Sequence, residues 1–363
     1  MIVAGTLSRY FGRRFLLTTL TVFGSILLLI ILIDFIELAR KADDARNIST
    51  LTLAQISLYR VPQIAERILP FCILIATMSC YLSLSRGLEL VVARAAGMSA
   101  WQFLAPAVIL ALLIGAFATT VYNPVSATLH ERAKHLEADA FGRNSPALQD
   151  SGAFWLRQRG EDGQSIIGAA NTRNQGMSLS GVTVFTFDAE NRFKDRIEAR
   201  EAELEPGAWR LSEARIYSLS APVRVEASYS LSTTLTAAQV RESLSTPETV
   251  PFWQLPAYIE SARSAGVSSA GYRQQYYKLL AQPFLLAAMV LLAAAVSLRF
   301  FRFGGVQRMV LSGVVAGFLL YVLSKVTEDL SRAEVMHPAT AAWLPVLVGG
   351  FTGLLALLHQ EDG

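Results

Sequence analysis

The sequence predicts an α-helical membrane protein with six spans, arranged three and three around an inserted all-β, jellyroll-like domain. Three observations carry this expectation. Of the 363 residues, 52% are hydrophobic and only 17% are charged, against about 45–50% and about 25% in ordinary soluble domains. Six long stretches are free of charge, and the stretch between the third and fourth is polar with a period of two. The composition excludes a disordered chain, a disulfide-rich secreted scaffold and a typical soluble enzyme. The apolar excess is moderate, so a sizeable part of the chain sits in water. A net charge of +3 is too small to argue for nucleic acid.

The spans are read at residues 15–33, 68–85, 101–121, 279–298, 309–324 and 338–358. A helix needs about 20 mostly apolar residues to cross hydrocarbon. The fifth run is short, but Arg308 and Lys325 can snorkel at its ends. The first run lacks a small-residue cleavage pattern, so it is read as a retained helix. Cys72 and Cys80 fall in one run. On a helix they stand roughly 12 Å apart, too far for a disulfide.

Lys and Arg in short flanking segments set the orientation. One side carries Arg9, Arg13, Arg14, Arg86, Arg94, Arg299, Arg302 and Arg308. The other carries Arg40, Lys41, Arg46, Arg60, Arg67, Lys325 and Arg332, diluted by Glu37, Asp43, Asp44 and Glu66. The basic cluster directly before the first span decides. Both termini are expected in the cytoplasm, with the large central segment outside.

That segment opens with a charged helical pattern over 126–141. Short alternating runs follow around Val182–Val184, Trp209–Leu211, Val223–Val225 and Tyr229–Thr233. Turn signals separate them at 160–163, Gly176, 188–191, Pro206-Gly207 and Ala221-Pro222. Such a pattern argues a β-sandwich or roll. Residues 243–270, with a helical patch near Tyr258, read as the return linker. The domains are therefore 1–124 (spans one to three), 125–270 (the β domain with its linkers) and 271–363 (spans four to six).

Catalytic signatures are missing. The sequence has no P-loop, no G-x-S-x-G and no H-E-x-x-H. His130, His135, His337 and His359 have no ligand spacing. No metal, no cofactor and no catalytic residue is expected in this chain.

The loop between spans two and three, RGLELVVARAAGMS at 86–99, carries the most information. Glu89, Val92, Ala93 and Ala96 share one helical face, with Leu90 beside them. Small residues allow close approach, and Glu89 offers a charge to a cation opposite. Gly97 and then Ser99 can end this helix and start the next. Two readings stand: a short helix docking on a cytoplasmic partner, or a plain connector between spans.

The run Glu-Leu-Val-Val at 89–92, followed by Ala and by Ala-Gly-Met-Ser at 96–99, resembles the coupling-helix region of the LptF/LptG permeases. These are membrane subunits of the lipopolysaccharide export ABC transporter. Leu7-Ser-Arg-Tyr10 and Gly12-Arg13 resemble that family's N-terminal signature. The three-plus-three layout resembles its architecture, with a periplasmic β-jellyroll. The resemblance covers essentially the whole chain, and its N-terminus and 313–321 segment look most like the LptG branch. It implies a non-catalytic permease subunit in the bacterial inner membrane. The implied partners are a paralogous LptF, two copies of an LptB ATPase that bind the ATP and Mg, LptC and an LptA bridge. The substrate would be lipopolysaccharide, drawn from the inner membrane and passed to the periplasmic bridge. Coupling would fall to Glu89, Leu90, Val92, Ala93, Ala96 and Gly97.

Two charged clusters fit a lipid path. Asp34, Glu37, Arg40 and Lys41 follow the outer end of span one, and Arg132 and Lys134 follow span three. Their cations could meet lipid phosphates, or they form an interfacial charge belt that fixes helix depth. The resemblance matches Arg40 and Lys41 to lipopolysaccharide-contacting positions. It departs at Asp34, where relatives can carry a lysine. Lys325, Glu328, Asp329 and Arg332 form two i,i+4 pairs on span five, either local pairing or a gate. Gly313-x-x-x-Gly317 and Gly349-x-x-x-Gly353 are faces for close helix packing. The competing readings are the LptF paralogue and a non-transporting scaffold displaying a β module.

Overall fold

The computed structural model describes residues 2–43, 48–141, 154–160, 163–173, 177–188, 192–218, 221–234, 240, 247–264, 269–301 and 306–362. Three helical runs come first: α1 (Ile2–Asp43), α2 (Thr50–Arg86) and, after the short α3 (Glu89–Ala95), α4 (Ala100–Phe117). A π-turn, Ala118–Tyr122, joins α4 to α5 (Asn123–Phe141). Six strands follow, then α6 (Leu255–Ser264), α7 (Ala270–Phe301), α8 (Val306–Arg332) and α9 (Pro338–Asp362). Six stretches are long and apolar enough to cross a membrane: Thr6–Ala42, Thr50–Arg86, Ala100–Glu137, Ala270–Leu298, Val310–Arg332 and Pro338–Gln360. All six expected spans are present, and each helix extends past its uncharged run. Several charges in these extensions find partners.

The chain divides into two compact units. The first comprises Met1–Ala133, Pro251–Trp253 and Arg273–Gly363. Its core joins Phe11 and Phe15 of α1, Leu74 and Leu84 of α2, Phe103 and Leu104 of α4, and Leu286, Val290 and Ala293 of α7. Apolar side chains gain little by meeting each other in lipid, so close backbone approach drives helix association there. Two glycines show it. A Cβ on Gly353 would stand 2.8 Å from the Leu292 nitrogen, so only glycine lets α9 lie on α7. Gly115 of α4 lies equally tight against Pro283 of α7. Gly313 and Gly317 face Met78 and Leu74 of α2, and Gly349 faces Leu320. Both small-residue motifs therefore serve packing. Helix α1 is the exception. Only 6% of its span window is buried, against 61% for α2 and for α7.

The π-turn is bonded by partners from distant segments. The Thr119 hydroxyl donates to the Leu279 carbonyl at 2.9 Å, and the Trp253 indole donates to the Thr120 carbonyl at 3.0 Å. A widened turn frees main-chain groups for such outside partners. Cys72 and Cys80 are both buried and free.

The second unit comprises Lys134–Val250 and Gln254–Tyr272. Its strands are β1 (Phe154–Gly160), β2 (Gly163–Arg173), β3 (Ser178–Phe187), β4 (Phe193–Glu205), β5 (Ala208–Ser218) and β6 (Ala221–Ser232). They form one antiparallel sheet in sequence order, β1 to β6. One face is apolar, with Ile167, Val182, Val184, Ile197, Trp209, Leu211 and Ile216 buried. Two expected runs, around Val223 and Tyr229, are one strand, β6, and the expected turn at Ala221-Pro222 is its first residues. Gly207 turns β4 into β5 with a φ of +83°, the left-handed conformation glycine adopts without strain. The turn expected at Gly176 lies outside the described residues.

The sheet is rolled. In a flat sheet β1 and β5 would stand four strand spacings, about 19 Å, apart. Yet Gln158 of β1 accepts from the Trp209 indole of β5 at 3.2 Å and from the Thr233 hydroxyl, just past β6, at 2.6 Å. It donates to Ser165 at 3.0 Å and to the Ser232 carbonyl at 3.3 Å. Four bonds use the full capacity of one amide, so this buried group is satisfied. Replacing Gln158 with Leu should strand the Trp209 and Thr233 donors, at about 1–3 kcal/mol for each buried unsatisfied group. Thermal unfolding of the purified chain, followed by near-UV circular dichroism, should show a lower midpoint for the β domain. An unchanged midpoint would mean that the amide does not close the roll.

Candidate functional site

The loop at 86–99 folds as a two-turn helix between two sharp boundaries. Leu88 enters it with a φ of +60°, uncommon for a side chain with a Cβ. Gly97, at a φ of +83°, ends it, and its N–H donates to the Arg94 carbonyl at 2.9 Å. The Gln102 side chain then accepts from the Ser99 N–H at 3.3 Å and starts α4. The expected stop and start therefore both occur.

The expected docking face does not stay whole. Leu90 and Ala93 are buried against the chain itself. Glu89 is half-buried, and its Oε2 accepts from the Tyr10 hydroxyl of α1 at 2.8 Å. Val91, Val92, Ala95, Ala96 and Gly97 remain exposed. A two-turn helix has too little backbone cooperativity to stand free, so it must pack one side on its own protein. The predicted residues are brought together, but Leu90 and Ala93 anchor the helix while Val92, Ala96 and Gly97 face outward.

At the other end of α1, Asp34 is buried and its Oδ1 lies 3.8 Å from Nη1 of Arg60 on α2. Glu37 and Lys41 form an i,i+4 pair at 2.6 Å. Arg40 is exposed, as is Arg132 on α5, while Lys134 is half-buried. On α1, therefore, Asp34, Glu37 and Lys41 are engaged, while Arg40 faces outward. Arg60, not expected as part of the cluster, supplies the partner that Asp34 needs.

On α8 both expected pairs form: Lys325–Asp329 at 3.2 Å and Arg332–Glu328 at 2.7 Å. Glu328 also takes Lys278 of α7 at 2.9 Å. That second partner of Glu328 has no signature in the sequence, since it comes from another helix. A second polar node joins Glu66 of α2 to the Asn123 amide at 2.9 Å, and the Asn123 carbonyl oxygen accepts from the Phe252 N–H at 3.0 Å. No group of three or more His, Cys, Asp or Glu with metal-binding geometry exists among the described residues.

Six membrane-crossing stretches, an inserted β domain and a two-turn helix between the second and third define a polytopic membrane protein built around a soluble insert. The chain belongs to the family of the lipopolysaccharide export system permease LptF/LptG, which it matches over residues 9–359. It is 23% identical over 359 residues to the lipopolysaccharide export system permease protein LptG of Escherichia coli strain K12, covering 94% of each chain. The same values hold for LptG of E. coli O6:H1 strain CFT073.

The Glu328 node yields a prediction. Glu328→Ala leaves Lys278 and Arg332 without their shared carboxylate. Both cations are partly exposed, so the loss should be about 1–3 kcal/mol, below that of a fully buried pair. Thermal unfolding in detergent should show it, with a smaller shift for Glu328→Gln. Equal midpoints for wild type and Glu328→Ala would remove the structural role of the node.

Proposed function

We propose that this chain is a permease subunit, of the LptG type, of an ABC transporter that draws lipopolysaccharide from the bacterial inner membrane. It passes the lipid to a periplasmic bridge of β-jellyrolls, driven by a separate cytoplasmic ATPase. The chain itself is non-catalytic and carries no cofactor; ATP and Mg belong to the ATPase. Its partners are a paralogous LptF, two LptB subunits, LptC and LptA. Family membership over 9–359 supports this reading.

The observation that carries the coupling step is α3. It is fixed on one side by Leu90 and Ala93 and leaves Val91, Val92, Ala95 and Ala96 open. An apolar, small-residue ridge held on a rigid base suits insertion into a groove of a partner. Exposed Arg9, Arg13, Arg86 and Arg94 support a cytoplasmic placement of this end. The β domain and the 34–41 segment then lie on the periplasmic side. There the exposed Arg40 would meet lipid phosphates through charge-assisted hydrogen bonds, joined by Lys41 once it exchanges Glu37 for a phosphate.

The test is extraction of the tagged chain from membranes with intact-mass identification of what accompanies it. A second permease, an ATPase and lipopolysaccharide in one particle are expected. The chain alone, without ATPase or glycolipid under gentle extraction, would favour a scaffold. Within that particle, Glu89→Arg should uncouple ATP hydrolysis from lipid movement by about tenfold or more, since it reverses a charge at the docking helix. Wild-type transport with this substitution would remove the coupling assignment. Arg40→Glu combined with Lys41→Glu should cut crosslinking of α1 to lipid A roughly tenfold while assembly persists. Crosslinks at wild-type yield would end the phosphate reading.

A further inference from the structure

Tyr10, on α1, reaches the short helix α3. Its hydroxyl donates to Glu89 Oε2 at 2.8 Å, across 79 residues of sequence. Four residues on, one turn along the same helix, Arg14 donates to Ser83 Oγ at 3.2 Å. Between them Phe11 is buried against Phe103 of α4, with ring centroids 6.2 Å apart. Next to it, Gly12 faces Pro106 and Leu110 of α4, where a Cβ would still make ordinary contact. Two turns at the start of α1 therefore grip α2, α3 and α4 together. Beyond Phe15 and Thr19, α1 is largely exposed until Asp34, with Leu20, Leu28, Leu29, Leu32 and Ile33 all open. The helix is gripped at its first turns and near Asp34 and Leu38.

The geometry points to Tyr10 as a positioning residue that locks α3 to α1 through the Glu89 carboxylate. Three features make the bond consequential. Helix α3 is two turns long and cannot hold its own geometry. Its entry residue, Leu88, sits in the left-handed region, a conformation that persists only when surrounding contacts enforce it. And the phenol engages only one of the two carboxylate oxygens, so Glu89 keeps acceptor capacity for a cation on a partner. Movement of α3 is then transmitted directly to the start of α1, the least buried span.

The functional half of this inference rests on the coupling role proposed for α3; the positional half does not. Tyr10→Phe removes only the hydroxyl. Hydrogen exchange of residues 89–97, measured on the purified full chain in detergent, should quicken about fivefold as the helix loosens. Glu89→Gln keeps an acceptor oxygen for the phenol and should hold exchange within about twofold of wild type. Equal exchange in wild type and Tyr10→Phe would overturn the proposal, whatever the chain transports. Loosening by Glu89→Gln as strong as by Tyr10→Phe would do the same, since it would assign the effect to charge. In the assembled particle, reconstituted in vesicles containing lipopolysaccharide, Tyr10→Phe should lower lipid moved per ATP hydrolysed about three- to tenfold. An unchanged ratio would overturn the transmission step. A wild-type particle that moves no lipopolysaccharide would instead count against the proposed function, and the exchange result would then decide the positioning claim by itself.

Discussion

A charge at the edge of a membrane-crossing helix gains from a fixed partner, and this constraint shapes the helical unit. Unpaired ions in hydrocarbon are costly, and three acids near the span ends are tied to partners. Asp34 faces Arg60, Glu66 holds the Asn123 amide, and Glu328 sits between Lys278 and Arg332. These pairs let the helices run on past their uncharged stretches. They also fix which helices are neighbours: α1 with α2, α2 with the start of α5, α7 with α8. Specificity of arrangement in lipid comes from such bonds and from glycine contacts, because apolar side chains there have no preference between a neighbour and a lipid tail.

The packing is uneven. Helices α7 and α9 meet at glycine, backbone on backbone. Helix α1 has no such seam. It is gripped near Phe11 and Phe15 and again near Asp34 and Leu38, and its middle offers leucines to whatever lies outside the chain. That middle belongs to the least buried span of the helical unit, although Phe23 still packs against the core.

The sequence made the spans legible because hydrocarbon imposes a length and an apolar rule that no other context mimics. The i,i+4 pairs on α8 were readable for the same reason, being local. What stayed hidden came from elsewhere in space. Strand β4, FKDRIEAREAELE, is absent from the expected alternating runs because its outward residues are charged and its inward ones include small alanines of low strand propensity. Pairing with β3 and β5 on both edges overrides that propensity. Gln158, Lys278 and Arg60 have no local signal at all; each matters through a partner contributed by a distant segment. Helix α3 was legible from its small residues and its glycine stop. Its inward side, Leu90 and Ala93, and the bond of Glu89 to Tyr10, 79 residues away, were not.

The order of the β strands carries a meaning for synthesis. Every strand pairs with the one made just before it, so the sheet can grow as the chain emerges, each hairpin laid on the last. Short-range pairing of this kind carries little loop-closure penalty and folds fast. One contact breaks the pattern: Gln158 must wait for Trp209, Ser232 and Thr233. The domain would thus remain an open ribbon until its last strand has appeared, then shut from one end to the other while the final three spans are still being made. A defect at that closing amide would be met during biogenesis, before the helices that complete the membrane unit exist.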